Sequence, residues 1–231
     1  MNFNIDEIHR RIIGDINHHV LGKKTDSYDV LVFANLQAAL ESAKYFNLKM
    51  HKSRNYESDL DLLSHAMEIR PQDGLILEFG VASGRTINHI SSLTNDIVYG
   101  FDVFTGLPED WRTGFGEGSF RRADLPKVNE NVRLIAGLFE DTLDDFLKDK
   151  RIKASLIHID CDLYSGTKTI LTKLDSLITS GTVIVFDEYF NYPGWEHHEF
   201  KAFSEYVAFK GVNYRYDSLV SKHQQVCVVI G

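Results

Sequence analysis

The chain of 231 residues is poor in cysteine, with only Cys161 and Cys227. Two thiols so placed make neither a metal-ligand spacing nor a secreted disulfide framework, and a reduced, cytoplasmic setting is expected. Basic residues are in deficit: 25 Lys and Arg face 33 Asp and Glu, for a net charge of -8. That balance argues against a nucleic-acid backbone as the main partner, because phosphate binding shows as a basic surface excess. The pair Arg121-Arg122 reads as a solvated loop. The N-terminus lacks a basic stretch followed by an apolar run, and no later run is long and apolar enough to span a bilayer, so no membrane partner is expected. Internal repeats and linkers of biased composition are also missing.

What is present suits one large core. Hydrophobic residues make up 43% and charged residues 25%, with 15 Phe and 10 Tyr to fill an interior. A chain of this length need not divide, and the expectation is a single domain over 1–231, with a helical N-terminal part at 1–70 and an α/β core at 71–231.

From about Tyr28 to Arg70 apolar residues recur at helical spacing, as in Leu36, Leu40, Ala43 and Phe46, then Leu60, Leu63 and Met67. The turn signal Pro71-Gln72-Asp73-Gly74 then delivers the chain into the strand-like run Leu75–Phe79. Further strands are predicted at Ile97–Phe101, Val132–Ala136, Ala154–Ile159 and Thr182–Phe186. Between and after them fall helices at Arg85–Leu93, Thr142–Lys148, Ser165–Leu177 and His198–Phe209. This alternation marks a parallel sheet wrapped by helices. The runs Tyr214–Leu219 and Gln225–Ile230 read as a closing antiparallel hairpin. The long segment Thr105–Asn131, rich in glycine, charge and aromatics, is either a plain surface loop or a cover for a substrate.

The sharpest motif is Glu78-Phe79-Gly80-Val81-Ala82-Ser83-Gly84-Arg85-Thr86. Glycines at the end of a first strand let the backbone turn sharply and approach a ligand, with the next helix N-terminus facing it. Asp102 ends the next strand, where a carboxylate suits the two hydroxyls of a ribose. A dinucleotide site must be weighed here, but it calls for Gly-x-Gly-x-x-Gly and a pyrophosphate. A carboxylate at Glu78 repels pyrophosphate and tolerates a cationic amino acid and sulfonium. Asp160 and Asp187 end neighbouring predicted strands, which brings two hard oxygen ligands together at the ligand edge in a way that suits Mg²⁺. Asp162 reads as a helix N-cap or an outer support, His158 as a packed residue, and His197-His198 as the polar start of a helix.

Five motifs in order, Glu78-Phe79-Gly80-x-x-x-Gly84, Gly100-Phe101-Asp102-x-Phe104-x-Gly106-Leu107-Pro108, Gly137–Leu143, His158–Thr167 and Phe186–Tyr189, resemble the macrocin O-methyltransferase family from about Leu75 to Tyr189. The resemblance implies a Rossmann-like class I methyltransferase fold, with a mostly parallel seven-stranded sheet and the C-terminal antiparallel hairpin. It implies Mg²⁺-dependent methylation of a hydroxyl on the sugar of a natural product, with S-adenosylmethionine as donor and a homodimer as assembly. By motif, Glu78, Phe79, Gly80, Ser83, Gly84, Thr86, Asp102, Val103, Gly137, Leu138, Phe139 and Asp160 fall to the cofactor. Asp160, Asp187 and Glu188 fall to the metal, and Asp160 also to the acceptor proton. The chain departs from the family with Glu188 in place of a second aspartate, His158 in place of an arginine, and the aromatic segment Asn191–His198. A metal-independent methyltransferase and a non-catalytic cofactor-binding protein are the competing readings.

Overall fold

The computed structural model describes residue 14, residues 29–150 and residues 152–231. The expectation of helix before residue 29 lies outside the described residues. The chain divides at Leu36, and Gln37–Gly231 form the unit that holds the whole sheet. Residues 37–70 fall in the same unit as the sheet.

Helix α1 (Val30–Tyr45) passes into a π-helical turn at Phe46–Met50 and is followed by a two-residue strand, β1 (Arg54–Asn55). Helix α2 (Asp59–Ile69) starts at Ser58, whose hydroxyl accepts from the Asp61 N–H at 3.1 Å and so satisfies one of the free donors of the first turn. The core alternates β2 (Leu75–Phe79), α3 (Arg85–Ser92), β3 (Val98–Asp102), β4 (Val132–Ala136), α4 (Phe139–Leu147), β5 (Ala154–Ile159), α5 (Tyr164–Lys173) and β6 (Val183–Phe186). Helix α6 (Glu199–Lys210) then leads into β7 (Tyr214–Leu219) and β8 (Val226–Ile230).

Every residue of β2, β5 and β6 is buried, which is why these segments are mostly apolar with no polar alternation. The strand order is β1-β7-β8-β6-β5-β2-β3-β4, parallel throughout except at β8, which runs antiparallel to both its neighbours. The sheet has eight strands where seven were expected. The extra one is β1, which pairs parallel with β7 through Arg54↔Ser218 and Asn55↔Leu219. Two residues carry no readable period, so this strand was invisible inside a region that otherwise reads as helix.

Four expected strands, Leu75–Phe79, Val132–Ala136, Ala154–Ile159 and Tyr214–Leu219, have the observed bounds. Helix α4 begins at Phe139, earlier than its apolar spacing indicated, and α5 ends at Lys173, well short of Leu177. The register positions the site. Phe79 lies opposite both Phe101 and Ile159, and Ile159 opposite Phe186. The residues that follow, Gly80, Asp102, Asp160 and Asp187, therefore leave the sheet along one edge.

Candidate active site

At that edge a cavity of about 370 Å³ opens, a size suited to a small ligand. One half of its wall comes from strand ends and the turns after them: Gly80, Ala82, Asp102, Val103, Gly137, Leu138, Phe139 and Asp160. The other half comes from Leu107, Trp111, Arg112, Phe115 and Phe120 of the long loop, and from Asp162 and Glu188. The segment Thr105–Asn131 is thus a cavity wall. It folds on itself, with Leu107 N–H donating to Ser119 at 2.9 Å and Arg122 N–H to Phe104 at 3.0 Å.

The glycine turn is held by Asp102. Its Oδ2 accepts from the N–H groups of Val81 and Ala82, each at 2.8 Å, and its Oδ1 accepts from Phe104 N–H at 2.6 Å. One carboxylate thereby ties the first turn to the start of the loop, as charge-assisted hydrogen bonds to backbone amides can. Gly80 has φ +92°, and its N–H donates to Phe101 at 2.9 Å. A side chain is impossible at Gly80, because Asp160 lies directly across from it.

Glu78 lies beneath this wall, fully buried. Its Oε1 accepts from the Thr86 hydroxyl at 3.0 Å and its Oε2 meets His158 Nδ1 at 3.0 Å. The far nitrogen of His158 faces Asp187 Oδ1 at 3.8 Å and has no hydrogen-bond partner. Burial disfavours the imidazolium, but Asp187 and Glu78 on either side outweigh it and hold the His158 pKa well above its ordinary value. At Asp187 burial likewise works against charge, yet His158, with Glu188 and Gln225, keeps the carboxyl below the usual carboxylate range.

Around Asp187 the other acids behave differently. Burial, then the charge of Asp187, pushes Asp160 well up, and the same two causes bring Asp162 to about 7. Glu188 and Glu199 are also pushed well up, first by burial and then by neighbouring carboxylates. Such a crowd of acids around one ionised aspartate is a place for a cation.

Of the expected metal trio, Asp160 and Asp187 come close together. Among the described residues the ligand atoms that lie within 4.8 Å of one another belong to His158, Asp160 and Asp187, not to Glu188. The Glu188 backbone N–H is tied to Glu199 Oε2 at 3.0 Å, and its own Oε2 is buried on the cavity side without a partner. With His158 Nδ1 already committed to Glu78, the donors that fit a hard cation such as Mg²⁺ are the Asp160 and Asp187 carboxylates.

Of the residues expected to hold a cofactor, Gly80, Asp102, Val103, Gly137, Leu138, Phe139 and Asp160 stand on the wall. Glu78, Phe79, Ser83, Gly84 and Thr86 do not. Phe79 is core, stacked on Phe101 with ring centroids 4.8 Å apart. Ser83 is exposed, Gly84 caps α3 in a left-handed conformation, and Thr86 serves Glu78. The N-cap of α5 is Leu163, not Asp162, which sits in the left-handed region at φ +64° on the cavity wall. The acidic turn around Cys161 carried that signal, since aspartate is among the few residues that tolerate this conformation. His198 is half-buried beside Trp111 and Tyr192 and is not on the wall; burial, then His197 and Arg112, lowers its pKa.

Strand order, the single antiparallel strand at β8 and a ligand cavity at the carboxyl edge define the class I methyltransferase fold. Residues 77–189 match a family described as a methyltransferase domain. Solved structures of the same fold include CalS11, a calicheamicin methyltransferase, at 20% identity and TM-score 0.60, covering 90% of this chain and 99% of that one. The O-methyltransferase NovP is 23% identical with TM-score 0.53, over 74% of this chain and 78% of its own. TomG from Streptomyces achromogenes, an O-methyltransferase of tomaymycin synthesis solved with S-adenosylmethionine, is 14% identical with TM-score 0.51, over 94% and 96%. No curated protein sequence matches the chain. Among the described residues, no helix is long and apolar enough to cross a membrane.

Proposed function

We propose that this protein is an S-adenosylmethionine-dependent O-methyltransferase of the macrocin type, acting on a hydroxyl of a small molecule with Mg²⁺ held by Asp160 and Asp187. The observation that carries the reading is the continuity of one cavity from the Asp102-tied glycine turn to the acid cluster and the aromatic loop. Two proteins of the same fold, NovP and TomG, are O-methyltransferases, which supports oxygen as the target atom.

The cofactor supplies an electrophilic methyl group on a sulfonium. Gly80, Asp102, Gly137 and Phe139 form the half of the wall that fits it, with Asp102 able to accept further hydrogen bonds beyond those from the backbone amides. Asp160 stands on the same wall, where its carboxylate takes the acceptor proton. Asp160 and Asp187 would hold a divalent cation, which would lower the pKa of the acceptor hydroxyl. Trp111, Phe115 and Leu107 exclude water from the acceptor side.

Calorimetric titration of S-adenosylmethionine, with and without Mg²⁺, tests the reading. Wild-type protein is expected to bind in the micromolar range, and Asp102→Ala to weaken binding by roughly tenfold or more, about 1.4 kcal/mol. Absence of binding by folded wild-type protein overturns it.

A further inference from the structure

The cavity wall carries five carboxylate residues, Asp102, Glu140, Asp160, Asp162 and Glu188, but a single basic one, Arg112. The backbone fixes Arg112 at one end of a tight turn: Phe115 N–H donates to its carbonyl at 2.8 Å, with Gly114 supplying a φ of +90° between them. Its guanidinium is packed among three rings, 3.9 Å from Trp111, 4.6 Å from Tyr192 and 5.1 Å from Phe115. Contacts with ring faces engage the charge and take up none of the guanidinium N–H donors, which stay available for another partner.

No described residue accepts a hydrogen bond from the Arg112 side chain. Arg112 joins no ion pair and no side-chain hydrogen bond among the described residues. Its Nε is buried and unpaired, and so is Nε1 of the adjacent Trp111. Two neighbouring donors with no acceptor, one of them a full positive charge, carry a desolvation cost that only an acceptor from outside can remove. No other basic side chain stands on the wall to receive an anion.

We propose that the methyl acceptor carries an anionic group, a phosphate or a carboxylate, which seats on the edge of the Arg112 guanidinium and is selected by it. The inference rests on the methyltransferase reading of the same cavity and narrows its substrate class. Arg112 is a binding residue here, and the aromatic rings around it suit a flat or ring-shaped body attached to that anion.

The test is calorimetry with protein saturated in S-adenosylhomocysteine, using uridine diphosphate glucose and glucose 1-phosphate as phosphate probes, glucuronate as carboxylate probe and glucose as the uncharged control. At least one anionic probe is expected to bind about tenfold or more tightly than glucose. Arg112→Met should remove that advantage, and Arg112→Lys should restore part of it, because lysine keeps the charge without the planar fork. The preferred probe identifies phosphate or carboxylate as the source. Folded protein that binds S-adenosylhomocysteine but shows no anion preference, or an Arg112→Met variant that binds the anions as well as wild type, overturns this inference alone. Protein that does not bind S-adenosylhomocysteine overturns the methyltransferase reading with it.

Discussion

A β-carbon placed on Gly80 would lie 1.7 Å from the Asp160 carbonyl oxygen. The first glycine of the motif and the aspartate at the centre of the site are therefore in direct backbone contact, and the ends of β2 and β5 are locked as one surface. The Asp160 N–H reinforces this by donating to Phe79 at 2.8 Å.

Gly80→Ala is expected to be severely destabilising, by about 3 kcal/mol or more, since it adds a backbone clash to an unfavourable φ. Gly194→Ala is the control, for Gly194 has φ +85° but open space around it, and should cost only about 1 kcal/mol. Denaturant unfolding of both variants measures the difference. Equal losses would show that conformation alone, not the contact with Asp160, explains the glycine.

Glu78→Ala removes the partner of both His158 and Thr86 from a fully buried site. A loss of about 3–5 kcal/mol is expected, the range for breaking a buried pair by removing one member. Thermal and chemical unfolding report it. A variant of wild-type stability would mean that Glu78 serves the ligand and not the fold.

At the acid cluster, Asp187→Asn should weaken binding of Mg²⁺ or its reporter Mn²⁺ by about tenfold or more, because the site loses its ionised carboxylate. Glu188→Gln should change it less than about twofold, given that Glu188 lies outside the close group of ligand atoms. Electron paramagnetic titration with Mn²⁺ compares them, and comparable losses in both variants would restore Glu188 as a ligand.

Asp217 supplies an acid-sensitive link. Burial acts against its charge, but Arg215 and then His65, whose Nε2 is 2.7 Å away, hold its pKa below the ordinary value. A folded-state pKa below the unfolded one adds stability above the unfolded value, near pH 4, and loses it as pH falls through the folded value. Asp217→Asn should therefore unfold more easily than wild type at pH 6, by about 1 kcal/mol or less after screening, and the two should converge at low pH. A gap that persists at low pH would assign the effect to packing.

Much of the fold is legible in the order of residues alone. Mostly apolar runs such as Leu75–Phe79 and Ala154–Ile159 announce buried parallel strands, and Gly80, Asp102, Asp160 and Asp187 fall at strand ends, where topology alone brings residues together. What escapes such a reading is set by contacts distant in the chain. The two residues of β1 become a strand only because β7 offers an edge. The positions of Glu78 and Thr86 under the wall depend on His158, a residue of another strand.

The sequence by itself determined the alternation of strand and helix, the carboxyl edge as the place of the ligand, and the acids and glycines gathered there, because these follow from periodicity and from the allowed conformations of single residues. Only the tertiary structure decided which acid stays ionised and which donors remain unpaired. Asp187 is held charged by His158, Glu188 lies outside the close ligand group, and Arg112 is caged by Trp111 and Tyr192. Those outcomes depend on burial and on partners brought from remote parts of the chain, and neither is encoded in any local stretch of residues.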